Sequence, residues 1–267
     1  MTESQSNRWL AAPAAALWTV GVALPLLLVL RMSLYFRGDI SGSRQFETLF
    51  FEPGTWTLAN FAKILTEPFY LGTLSFTVIL ALTTTLLTLT LGYVVAYAIY
   101  RATPVGKVVL IVLVILPKFT NILVFVYGLK IIFGPSGFWP VVAGEVLMLL
   151  PYAVLTIAAA LETVPFSLVE AARGLGATAS QAFWRITFPL SLPGTIAAAT
   201  LAILWSLGAF LSPYLLGQPA EYTISVEVDR QTNHDLNWAL AAALNVVLLG
   251  VMAVFGYSLT AIRRRLA

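Results

Sequence analysis

Lys118, Asn121 and Glu145 interrupt otherwise apolar stretches of the 267-residue sequence, and they are the first places to look for chemistry. Polar and ionisable groups are expensive in lipid, so inside apolar segments they usually face a pathway or a partner group. Lys118 and Asn121 follow Pro117, which has no amide N–H and frees a backbone carbonyl, so a bend is expected there. Three residues apart on one helix, they share a face. Glu145 is the candidate acid for Lys118, and Tyr152 follows it on the same helical face. These groups suit a hydrogen-bonding, electrostatic lining for a solute, and equally a structural ion pair. The stretch from Trp205 to Tyr214 mixes small, aromatic and kink-forming residues, with Ser206 and Tyr214 as pathway candidates. Plain helix packing accounts for that stretch as well, because small residues are common where membrane helices touch.

Covalent chemistry finds no support in the residue types. There is no cysteine, and the single histidine, His234, stands among Asn233, Asp235 and Asn237 without the partners of a metal or hydrolytic site. It reads as a surface residue. No Gly-x-x-x-x-Gly-Lys-Ser/Thr loop is present, so the chain is not its own ATPase.

The elements that position these residues follow from composition. At 59% hydrophobic and 10% charged, the chain belongs in a bilayer rather than among soluble domains. A span needs about 20 apolar residues, and runs of that order occur at 10–30, 71–99, 108–132, 138–160, 190–212 and 238–262. The expected fold is therefore an all-α integral membrane protein with six transmembrane helices and a single transmembrane domain over 1–267. The first run is too long for a cleavable signal core and reads as a retained span. The net charge of +3 comes from basic residues beside the apolar runs, as orientation signals rather than a nucleic-acid surface. Arg8, Arg101, Lys107, Arg173, Arg185 and Arg263 to Arg265 fall on one side, against Arg31, Arg37, Arg44, Lys63 and Arg230 on the other. This bias places both termini in the cytoplasm. The amphipathic stretch Leu58 to Leu65 is expected at the membrane interface.

The loop at 162–189, between the fourth and fifth spans, carries the strongest signal. Pro165 suits the first turn of a short helix that runs through Glu170 and stops at Gly174 and Gly176. A second short helix is expected from Thr178 to Arg185, before Pro189 opens the next span. Two short helices joined at glycines make a protruding elbow, and Ala171 and Ala172 keep its surface low enough for another protein to approach.

This loop resembles that of the membrane subunits of type I ATP-binding-cassette importers, whose pattern is Glu-Ala-Ala, three residues, Gly, nine residues, Ile, one residue, Leu-Pro. Here stand Glu170-Ala171-Ala172, Gly176, Ile186 and Phe188-Pro189, and only the leucine departs. The resemblance implies that 162–189 is a cytoplasmic coupling loop, with Glu170, Ala171, Ala172, Arg173, Gly174 and Gly176 at the ATPase contact. Glu170 is the best candidate for a polar contact, whereas Arg173 and Arg185 are equally suited to lipid headgroups. Also implied are two ATPase subunits that bind the ATP and Mg, a second permease that is a different chain, a periplasmic or lipid-tethered solute-binding protein, and a bacterial inner membrane. No cofactor is implied for this chain. The segments 121–131, 56–61 and 150–152 are similar to the spermidine/putrescine branch, which also imports other small solutes. A lysine at mid-span would repel a cation unless neutralised, so an anionic or zwitterionic solute remains open. A self-sufficient secondary transporter would instead show dense intramembrane carboxylates or inverted repeats with broken helices.

Overall fold

The computed structural model describes residues 13, 17–35, 56–134 and 136–266. The beginning of the expected first span and most of the segment after Tyr35 lie outside the described residues. Within them the regular structure is helical, with one isolated antiparallel bridge between Tyr35 and Trp56. The helices are α1 (Thr19–Ser33), α2 (Ala59–Thr66), α3 (Pro68–Arg101), α4 (Pro104–Ile115), α5 (Ile122–Phe133), α6 (Phe138–Glu162), α7 (Phe166–Gly174), α8 (Ala179–Leu207), α9 (Leu211–Leu216), α10 (Ile224–Asn233) and α11 (Trp238–Leu266).

Four of these, α3, α6, α8 and α11, are long and apolar enough to cross a membrane. Their ends follow local chemistry. Pro68 and Pro104 sit in first turns, where a missing N–H costs nothing. Thr103 caps α4 by accepting the Gly106 N–H, and Arg101 and Arg263 to Arg265 lie in the last turns of α3 and α11.

Two expected spans differ in form. The run at 108–132 is not one helix: α4 passes into a 3-10 turn at Leu116–Phe119, Thr120 is extended, and α5 leaves at 96° to the preceding segment. Pro117 removes a donor, and Asn121 supplies a fresh N-cap by accepting the Leu123 N–H at 2.9 Å. The fifth span begins at Ala179 rather than near 190. A capping box between Thr178 and Gln181 starts it, and a π-helical turn at Phe183–Thr187 precedes Pro189. That wider turn accommodates a proline that neither donates nor tolerates the preceding carbonyl in regular α geometry. The span also stops at Leu207, short of 212, where Gly208 ends it.

The chain divides into two compact units, Met1–Leu71 with Glu227–Leu249, and Gly72–Val226 with Gly250–Ala267. In the second unit α6 is the hub, packed by α4, α5, α8 and α9. Small residues allow the close approaches: a Cβ on Gly194 would run into Ala160, and one on Gly144 into Ser212 and Leu216. Such contacts matter because lipid supplies no hydrophobic drive between helices, leaving van der Waals packing and hydrogen bonds to hold them. Two buried clusters result, one around Leu80, Val142, Val146 and Leu216, the other around Ala96, Val154, Ile157 and Leu161. In the first unit, Asn60 Nδ2 donates to the carbonyls of Ser33 and Tyr35 at 3.0 and 2.9 Å, tying α2 to the end of α1.

Candidate functional site

The elbow is built by helix ends. α7 starts after Pro165 and ends in a left-handed cap: Gly176 has φ 92°, its N–H donates to the Arg173 carbonyl at 3.0 Å, and the Ala177 N–H donates to Ala172 at 3.0 Å. This paired pattern turns the chain sharply and favours a residue without a Cβ. Glu170, Ala171, Arg173 and Gly174 are exposed along α7, and Ala172 is half-buried. Leu175, which the sequence reading passed over, is 90% exposed at the tip. Its only sequence signal is an apolar residue between two glycines. Phe166 and Leu168 are exposed as well, so the elbow presents apolar surface as well as charge.

Behind the elbow, aromatic rings anchor its base. Phe183, in the π-helical turn, lies 5.0 Å from Tyr97 and 5.9 Å from Tyr93 on α3, ring centre to ring centre. The Tyr93 hydroxyl and Ser191 Oγ are hydrogen-bonded at 2.8 Å, and Ser191 Oγ donates to the Phe188 carbonyl at 2.9 Å. Lys107 and Glu162 form an ion pair between the start of α4 and the end of α6. It is partly exposed and worth about 1 kcal/mol at most. The elbow is thereby joined through α8 to α3.

The second site is a recess of about 170 Å³ at the break between α4 and α5. Its walls include Lys118, Thr120, Ile122, Phe125, Tyr152 and Trp205. Lys118 Nζ stands 4.5 Å from the centre of the Tyr152 ring, a cation–π contact, and the Tyr152 and Trp205 rings are 5.8 Å apart. Of the residues singled out from sequence, the recess brings together Lys118 and Tyr152. Trp205, neighbouring the expected Ser206, is among the wall residues that were not candidates from the sequence.

The other candidates lie elsewhere. Asn121 caps α5, so the bend removes the shared face expected with Lys118. Glu145 is 1% exposed on α6, within electrostatic reach of Lys118, but no ion pair joins the two. Among the described residues its Oε2 and the Ser206 hydroxyl have no hydrogen-bond partner, and the same holds for the hydroxyls of Thr84, Thr85 and Thr88 on α3. Buried polar atoms without partners are uncommon and costly. The three threonines were legible only as closely spaced hydroxyls on one apolar helix. Tyr214 stacks on Phe210 at 5.4 Å in and before α9, apart from the recess walls.

The family model for the binding-protein-dependent transport system inner membrane component matches residues 88–267. The spermidine/putrescine transport system permease protein PotB of Escherichia coli (strain K12) is 31% identical over 254 residues, covering 87% of this chain and 89% of the relative. The PotB protein of Salmonella typhimurium (strain SL1344) is also 31% identical, covering 87% of this chain and 85% of its own length. Among solved structures, a bacterial ABC transporter involved in the import of the acidic polysaccharide alginate aligns with a TM-score of 0.77 at 17% identity, covering 98% of both chains, which shows a shared fold. The apolar helices and the elbow with its Glu-Ala-Ala and glycine thus belong to a chain of known kind: it is a member of the binding-protein-dependent transport system inner membrane component family, the permease components of ATP-binding-cassette importers.

Proposed function

We propose that this chain supplies half of a translocation pathway for a small polar solute and one mechanical contact to an ATPase. The solute classes considered are polyamine-like, amino-acid-derived and other small organic molecules. The observation that carries the proposal is the elbow, where Glu170 on α7 and Leu175 at its C-terminal end are both exposed just ahead of a turn fixed by Gly176. An apolar tip flanked by a carboxylate and Arg173 has the composition of a surface that inserts into a cleft on another protein. In this reading 162–189 lies in the cytoplasm with both termini, and the chain sits in a bacterial inner membrane. Two ATPase subunits bind ATP and Mg and dock one elbow each. A second, different permease chain completes the pathway, and a periplasmic or lipid-tethered binding protein delivers solute.

The mechanism requires no bond making in this chain. Closure of the ATPase pair on ATP would displace the elbow, and the rings of Phe183, Tyr93 and Tyr97 would carry that displacement into α3. The break at Pro117 and the turn at Gly208 are places where spans can change direction without losing helical hydrogen bonding elsewhere.

The test is the subunit content and ATPase activity of the purified complex, measured for wild type and Glu170→Arg at equal recovery of this chain. The proposal expects the substitution to lose the ATPase subunit, or to make hydrolysis independent of the binding protein. Unchanged stimulation by the binding protein would count against it.

A further inference from the structure

We propose that Lys118, the first turn of α5 and the Tyr152–Trp205 pair form a subsite for an anionic oxygen group, a carboxylate in the first instance, on the transported solute. The inference deepens the importer reading and rests on it.

Three features of the recess converge on a negative group. Lys118 brings a cation to a wall that is otherwise aromatic or apolar apart from Thr120. Among the described residues no ion pair neutralises it, and Glu145, which is within electrostatic reach, is buried outside the recess walls. The second feature is the break in the span. Ile122, the first residue of α5, lines the recess, and apart from the Leu123 N–H, which Asn121 Oδ1 accepts, the N–H groups of a first helical turn have no intrahelical acceptor. The helix dipole places partial positive charge there, as where interrupted membrane helices aim their N-termini at anionic substrate groups. The third is the aromatic wall. The Lys118 ammonium already occupies the face of Tyr152, the position a solute ammonium would seek.

A dication would have to displace that ammonium and would then be repelled by it. A carboxylate gains a charge-assisted hydrogen bond from Lys118 while its carbon skeleton lies along Tyr152 and Trp205. At about 170 Å³ the recess has room for one such group and a short stem. It therefore favours a carboxylate-bearing solute, such as an amino-acid derivative, over a simple polyamine.

The chain has no cysteine, so a single thiol at the recess is a clean probe. Thr120→Cys would be introduced in the complete importer in phosphatidylcholine vesicles. Its modification by anionic sulfonatoethyl methanethiosulfonate would be timed against that by cationic trimethylammonioethyl methanethiosulfonate, relative to free thiol. The expected anionic preference is roughly tenfold. It should vanish in Lys118→Gln, persist in Lys118→Arg and persist in Lys130→Gln on the last turn of α5. Acetate exchanged for chloride at constant ionic strength should slow modification.

No reaction at Thr120→Cys, a cationic preference, a preference indifferent to Lys118→Gln, or no protection by acetate would each overturn the subsite. A lipid headgroup supplies the same chemistry. If phosphatidylglycerol in the vesicles protects the thiol as acetate does, the site belongs to lipid and the proposal fails. Assembly and binding-protein-stimulated ATP hydrolysis, recorded on the same vesicles, separate failure of the subsite from failure of the importer reading.

Discussion

Gly176 carries the sharpest residue-level requirement. Its φ of 92° is strained for any side chain, most of all a β-branched one. Gly176→Val should weaken the elbow by about 1–2 kcal/mol, read as faster protease cleavage between Glu170 and Thr178 with the thermal midpoint of the complex little changed. The shape of the elbow is thus testable apart from the charge of Glu170. A second residue-level prediction concerns Glu227 on α10, outside the membrane-spanning helices. Its carboxylate accepts from Gln231 Nε2 at 2.8 Å and lies 3.7 Å from Arg230. Burial nevertheless pushes its pKa above the usual range, with Asp235 adding to the rise against the pull of Gln231 and Arg230. The folded state therefore binds this proton more tightly than the unfolded chain. The stability it contributes is full below the ordinary carboxylate value and is lost as pH rises from there to the raised native value. Thermal midpoints of wild type should fall over that interval relative to Glu227→Gln, and parallel curves would contradict this. Motif spacing made Glu170 and Gly176 legible in the sequence. Leu175 and Trp205 were not, because exposure of one apolar residue and orientation of another depend on turns that composition does not encode.

Among the elements, α6 shows how closely the helices of the second unit depend on missing side chains. Gly194 of α8 meets Ala160 with no room for a Cβ. Gly194→Leu should destabilise by about 1–3 kcal/mol through overpacking, seen as a lower melting temperature of the purified complex. An unchanged melt would mean that α8 and α6 are not packed this closely. The apolar runs at 71–99, 138–160 and 238–262 fall within α3, α6 and α11, since a long run of apolar residues is what a helix in lipid requires. They could not give the 96° break, because the residues from 108 to 132 are apolar almost throughout and only Pro117 and Asn121 mark the turn. The π-helical turn before Pro189 was hidden for a related reason. A proline signals that regular hydrogen bonding must fail nearby, but not whether a new helix starts or an existing one widens.

For the whole molecule, large apolar residues such as Leu86, Val94, Ile131 and Tyr257 are exposed on several helices, as on a surface that faces lipid. Membership of the importer family was legible from the loop, because the helix-end geometry there fixes residue types at fixed offsets. The recess was only half legible. Lys118 and Tyr152 stood out by polarity and spacing, but their meeting depends on the break between α4 and α5, and Glu145 turned out to be buried rather than paired. The central claim is that the elbow is the contact through which ATP hydrolysis reaches the membrane helices. Its most direct test uses the cysteine-free chain with Leu175→Cys and a short thiol-to-amine cross-linker in the assembled complex. The account predicts a covalent product with the ATPase subunit whose yield changes on adding ATP, and none from Val94→Cys on α3. Equal cross-linking from both positions, or none from Leu175→Cys in a complex that hydrolyses ATP, would contradict it.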